Sequence, residues 1–144
     1  MVRLDSFAVR IILSAAGVLI LAAVYMFQRF DYSSLIATSP WHPNVVFIVN
    51  RTVRLILNDL ACMLLIFAIF QKRQYLVVAF YVFLFELLIL LPVYFTVKLS
   101  LEGDSEISSP LLSFIHRLIV NPMLMVVLIG GFFYQRFVTK NSGT

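Results

Sequence analysis

Eight polar side chains stand in or at the ends of long apolar stretches of this 144-residue chain: Arg51, Arg54, Asn58 and Asp59 in one, Glu86 in the next, and His116, Arg117 and Asn121 in a third. In a helix that crosses a bilayer an ionisable residue costs about 2.5–3.5 kcal/mol, so each needs a reason to be there. Arg51, Arg54 and Asn58 are spaced three and four apart and share one helix face. Asp59 lies about 100° round from Asn58 and, for a helix starting near residue 52, about 10 Å below its start. Glu86 is flanked by Phe85 and Leu87 at the centre of its stretch. Acids among arginines allow charge pairing, which makes buried charge tolerable. Two readings stand side by side. In one, the arginines anchor helix ends and Asn58, Asp59, Glu86 and Asn121 are polar glue between helices. In the other, the cluster docks a polar group of a partner protein or a lipid headgroup, or Asp59 and Glu86 bind ions or relay protons.

Other chemistry is weaker. Cys62, His116 and Arg117 contain the parts of a thiol catalyst, but Cys62 falls about 16 Å below a helix start at residue 52, far from His116 near the rim, and a nucleophile needs its base within hydrogen-bond reach. An intramembrane Cys is more often a small hydrophobe. His42 and His116 are the only histidines, no metal-ligand spacing exists, and no metal or other cofactor is implied. Asn50-Arg51-Thr52 matches a glycosylation sequon, a short motif frequent by chance.

The elements that must position these residues follow from composition. The chain is 62% hydrophobic and 12% charged, with mean hydropathy +1.00. So small a domain cannot hide that much apolar surface in one core, and the solvent must be lipid. A soluble enzyme is excluded, and one cysteine excludes an internal disulfide. The net charge of +4 gathers at membrane edges and reads as topology, not as a nucleic-acid footprint. Four stretches, about 10–28, 52–70, 75–97 and 112–135, each approach the roughly 20 residues that cross a hydrocarbon core. The expected fold is all-α, a single polytopic domain of four transmembrane helices.

The first stretch is followed by Gln28-Arg29-Phe30-Asp31, not by a small-x-small cleavage site, and reads as a retained helix. Its Ala15, Ala16, Ala22 and Ala23 recur seven apart, as on a closely packed face. Gln71-Lys72-Arg73-Gln74 makes the second and third stretches a helical hairpin. Pro40 and Pro43 oppose continuous helix before the second span, Lys98 to Pro110 reads as a polar loop with Glu102, Gly103, Asp104 and Glu106, Pro92 and Pro122 should kink their helices, and Gly130-Gly131 offers close packing. The fourteen Phe read mostly as lipid-facing bulk. Arg3, Arg10, Lys72, Arg73, Arg136 and Lys140 fall inside for an N-in, C-in topology, against Arg29 and Lys98 outside, as the positive-inside rule prefers. That orientation places Arg51, Arg54, Asn58, Asp59, His116, Arg117 and Asn121 in the outer half of the membrane, with Glu86 near mid-depth.

Several runs carry a family resemblance: Asn50-Arg51-Thr52-Val53-Arg54 continuing to Asn58-Asp59, Leu90-Leu91-Pro92-Val93-Tyr94-Phe95, and His116-Arg117 through Asn121-Pro122 with Phe132-Phe133-Tyr134-Gln135. Over about the last hundred residues the chain resembles the exosortase F system-associated membrane proteins of Bacteroidota. The most specific pieces are the arginine-led start of the second span and the Arg117-to-Pro122 spacing. The resemblance implies a bacterial inner-membrane, multi-pass protein, an accessory or assembly subunit of a protein-sorting system whose partner is a multi-spanning thiol transpeptidase, with no catalysis of its own. Arg51, Arg54, Asp59 and Arg117 are then the expected contact set. The rival expectation is a small transporter or lipid-binding protein that uses Asp59 and Glu86, and a third is a structural homo-oligomer.

Overall fold

The computed structural model describes residues 7–36, 38–101 and 109–143. Arg3 and the acidic stretch Glu102, Gly103, Asp104 and Glu106 lie outside the described residues. Six α-helices follow one another: α1 Phe7–Met26, α2 Pro43–Phe70, α3 Arg73–Phe85, α4 Leu91–Leu101, α5 Pro110–Val120 and α6 Met123–Asn141. A 3-10 turn, Tyr32–Leu35, precedes α2, and a π-helical segment, Glu86–Leu90, joins α3 to α4. Four helical units are long and apolar enough to cross a membrane: α1, α2, the continuous Arg73–Leu101 unit and α6. The protein is an all-α, multi-pass membrane protein.

The central helix is α2, with 56% of its apolar window buried against 11–17% for the other three. It starts nine residues before the expected boundary. Pro43 occupies the first turn, where its missing N–H costs no hydrogen bond, and the His42 Nδ1 accepts the Asn44 N–H at 3.3 Å. The proline that should have interrupted a helix instead begins one. Asp59 is consequently about 24 Å from the α2 N-terminus at 1.5 Å per residue, near mid-span, not in the half that the shorter helix implied.

α1 lies along α2 through Ser14, Gly17, Leu21 and Val24, an alternating three-and-four spacing that makes a packing stripe, with Leu13 beside it. Gly17 is the point of closest approach: a Cβ there would stand 2.8 Å from Leu65 Cγ and 3.2 Å from the Ala61 carbonyl oxygen. Of the alanines expected to form this face, Ala15, Ala22 and Ala23 are exposed and Ala16 is half-buried. Gly130 and Gly131 also face open space, with nothing within 4 Å of a built Cβ. At one end of the pair, Arg10 donates from Nε to the Ala68 carbonyl at 3.2 Å and from Nη2 to that of Ile69 at 3.0 Å. These are orphan acceptors of the last turn of α2, where a cation is also favoured by the helix dipole.

The hairpin turn is shorter than expected, two residues. Gln71 takes the left-handed conformation (φ 53°) and its N–H returns to the Phe67 carbonyl, and Lys72 is the N-cap of α3. Phe70, Tyr75 and Phe132 close the turn, Tyr75 stacking on Phe132 at 4.3 Å and Phe70 meeting Tyr75 edge-on at 5.2 Å. Phe70 and Phe132 are therefore core residues, unlike most of the other phenylalanines.

Pro92 does not simply kink its helix. It follows a π-turn in which the Leu91 N–H reaches back to the Glu86 carbonyl, and the extra residue moves the ring relative to the preceding turn that it would otherwise strike. The inward stripe runs Tyr75, Ala79, Glu86, then skips to Leu91, Tyr94 and Lys98. One extra residue turns the face by about 100°. Lys98, expected in a loop, is buried in α4, which runs on to Leu101.

The fourth apolar stretch, expected as one span over 112–135, is two helices, of which α6 alone is long and apolar enough to cross a membrane. Asn121 is extended (φ −107°, ψ 139°), as the residue before a proline prefers, so α5 ends at Val120 and α6 starts at Met123.

Candidate functional site

The eight expected residues divide into two neighbouring sites. Arg54, Asn58, Asp59 and Glu86 are buried, at 5%, 3%, 1% and 1% exposure. Arg51 and His116 are half-buried, and Arg117 and Asn121 are exposed.

The first site is a carboxyl pair. α2 presents Asp59 and the π-segment presents Glu86, each near the middle of its helical unit, and the two carboxyl groups lie within hydrogen-bonding reach of each other. No donor reaches Asp59 Oδ2 or either Glu86 oxygen. Cys62, one turn on from Asp59 along the same face of α2, is buried close by. The expected pairing of acids with arginines is not what forms. Within this set the two acids meet at mid-bundle, while Arg51, Arg54 and Arg117 lie toward the end that carries the α1–α2 connection.

The second site gathers at the break between α5 and α6. Arg54 donates through Nη2 to the Gln28 carbonyl just beyond α1, and its Nε has no partner. Asn58 Nδ2 donates to the Val120 carbonyl at 2.9 Å, an acceptor that is free because Asn121-Pro122 ends the helix there. Gln28, Arg54, Asn58, Asn121 and Pro122, with Leu21, Val24 and Tyr25 of α1, line a cavity of about 110 Å³.

Beyond this cavity, Arg51, Arg54, Lys98 and Arg117 are all in electrostatic range of His116, whose Nδ1 is 2.7 Å from the Tyr94 hydroxyl. Arg51 lies over the Phe47 ring at 5.3 Å. Cys62 packs with Ile66, Phe70, Tyr75 and Phe132, whereas Tyr94, the partner of His116, packs with Leu55, Leu91 and Leu112; thiol and imidazole belong to different clusters. Among the described residues no group of three or more His, Cys, Asp or Glu is arranged to hold a metal ion.

Sequence reasoning missed three contributions. Tyr94 and Lys98 enter the interior only because of the π-turn, which no apolar spacing announces. Gln28 contributes a backbone carbonyl, which residue type cannot reveal. The third is a surface network: Asp31 Oδ1 accepts from Asn50 Nδ2 (2.9 Å), the Ser33 hydroxyl (2.6 Å) and the Ser33 N–H (3.0 Å), which ties the connection to α2. These bonds, the Ser33 hydroxyl foremost, hold the Asp31 carboxyl below its ordinary 3.8. Asn50 spends its side chain there, and the Thr52 hydroxyl donates to the Ile48 carbonyl at 2.8 Å, so the sequon is folded into a helix. Comparison with protein-family models, with curated proteins and with solved structures gives no match.

Proposed function

We propose that the protein is a non-catalytic subunit or assembly factor of the bacterial inner membrane, N-in and C-in, packing beside a larger multi-spanning partner; the motif resemblance makes that partner an exosortase-type transpeptidase. The observation that carries this reading is the unmatched charge at one end of the bundle. Arg117 is exposed and has no hydrogen-bond or ion-pair partner among the described residues, and Arg51 lies over the Phe47 ring with Tyr94 in electrostatic range and no acid paired to it among the described residues. Cations at a membrane edge without an internal counter-charge are available to acids of a neighbour. Burial narrows the contact set. Arg54, Asn58, Asp59 and Glu86 shape the bundle from within, and direct contact falls to Arg117 and Asn121 with Arg51 and His116 behind them.

The test is crosslinking in native membranes followed by gentle purification of the tagged protein. A multi-spanning transpeptidase should be recovered in stoichiometric amount, and less of it with Arg117→Ala. Recovery of the 16.5 kDa chain alone under several detergent conditions would sink the reading.

One observation favours a second reading, a small ion-coupled transporter. Two facing carboxyl groups away from water repel when both are charged, and a shared proton or a bound monovalent cation resolves the conflict. Purified protein in liposomes should then show pH-dependent ion uptake that Glu86→Gln abolishes; no uptake by the wild type removes this reading.

A further inference from the structure

Arg54 is a buried cation with no counter-ion among the described residues. The nearest acid on its own helix, Asp59, is engaged with Glu86, and the bond that Arg54 makes among the described residues is to a neutral carbonyl, Gln28. A buried charge left uncompensated is costly, more so in lipid than in water. The Arg54 Nε has no partner, and its side chain lines a cavity together with Asn58, one of whose amide hydrogens already serves the Val120 carbonyl, and with Asn121 and Pro122 just ahead of α6. No side chain caps α6; its Met123 N–H returns to the Asn121 carbonyl at 2.7 Å, which leaves the Leu124 and Met125 N–H groups and the positive end of the dipole at the helix start. Guanidinium, amides and a helix N-terminus are donors to an oxyanion. At about 110 Å³ the cavity well exceeds the roughly 10–15 Å³ that one water needs.

The position of the cavity says where the anion comes from. Tyr25 and Asn121, both exposed, flank its mouth, and Leu21 and Val24 make the α1 wall apolar. The opening thus lies between α1 and the α5–α6 break, on the face that lipid solvates. We infer that this cavity is a binding site for an oxyanion, the headgroup phosphate of an anionic lipid that enters between α1 and the α5–α6 break. The site does not depend on the subunit reading.

The test uses the full chain in nanodiscs and by native mass spectrometry, with phosphatidylglycerol, phosphatidylcholine and inorganic phosphate as probes. One phosphatidylglycerol should be retained per chain, with a preference over phosphatidylcholine of about tenfold or more, the order of one strong charge-assisted contact. Arg54→Gln should erase that preference, and Arg117→Gln should keep it. Asn121→Asp, at an exposed position that leaves the bundle packing alone, puts a carboxylate at the mouth and should also erase it, which covers the case of an Arg54 variant that does not fold. Equal retention of both lipids by the wild type would overturn the proposal. A preference that survives Asn121→Asp would overturn it as well, because the lipid would then sit elsewhere. Stabilisation by inorganic phosphate without any preference between the lipids would overturn the lipid assignment.

Discussion

Asp59 and Glu86, 27 residues apart in sequence, meet carboxyl to carboxyl in the middle of the bundle, each 1% exposed. An amide in place of one acid supplies the donor that the other lacks. Asp59→Asn should therefore leave thermal stability in detergent unchanged or raised. Asp59→Leu, of similar bulk, leaves Glu86 without any donor and should lower stability by about 1–3 kcal/mol. A loss as large in Asp59→Asn as in Asp59→Leu would show that the two carboxyls do not interact.

Gly17 should be intolerant and its relatives tolerant. Gly17→Ala places a methyl group 2.8 Å from Leu65 Cγ and 3.2 Å from backbone at Ala61, an overpacking that costs about 1–3 kcal/mol. Gly130→Ala and Gly131→Ala meet open space and should gain up to about 1 kcal/mol of helix propensity. Chemical unfolding of the three variants ranks them.

Arg10 holds the end of α2. Arg10→Ala removes two bonds from a charged donor, worth about 1.5–3 kcal/mol for a hydrogen bond to a charged group, and should speed hydrogen exchange across 66–75. Arg10→Lys offers a point charge in place of a fork and should fall between alanine and wild type. Uniform exchange in all three proteins would count against the cap.

Asp31 gives the α1–α2 connection a pH dependence. Its carboxyl is held below 3.8 in the folded chain, so the anion's contribution is fully present above that value and disappears as pH falls through the lowered one. Exchange of the Ser33 amide, relative to its intrinsic rate at each pH, should be slow at pH 5 and should speed up as the pH is lowered below 3.8. In Asp31→Ala it should already be fast at pH 5, and a wild-type rate there would refute the network.

The π-turn sets which residues of α4 face inward. Pro92→Ala restores an N–H and removes the ring, which should let the segment revert to α-helix and turn α4 by about 100°. Cysteines at 93 and 97 should then become protected from a lipid-soluble thiol reagent, and those at 94 and 98 reactive, the reverse of the order with Pro92 present.

Apolar length made the helical class, the crossings and the hairpin legible from sequence, because a run of some twenty apolar residues has few other physical meanings. The inward placement of Asn58 and Glu86 followed from the cost of polar groups in lipid. Their partners did not, since side-chain type cannot say whether Asp59 will meet an arginine or another acid. Pro43 and Pro92 were each read as interruptions. One starts a helix and the other accompanies a π-turn, outcomes that depend on how many residues precede the ring in the same helix. Gly17 was passed over for the alanine stripe because close approach depends on the partner surface, here Leu65 and Ala61, which lies some forty-five residues away.

The Asn58–Val120 bond spans 62 residues, and that separation is also an interval of time. Ribosomes add about 5–20 residues per second, so α2 emerges roughly 3–12 seconds before the carbonyl that Asn58 awaits, and Asp59 precedes Glu86 by a shorter delay. Throughout that window the second crossing carries Arg54, Asn58 and Asp59 without their final surroundings. Biogenesis of this protein must therefore keep a half-built bundle beside the insertion machinery until the last helix arrives, and truncation before residue 120 would release a chain whose central helix has never been satisfied.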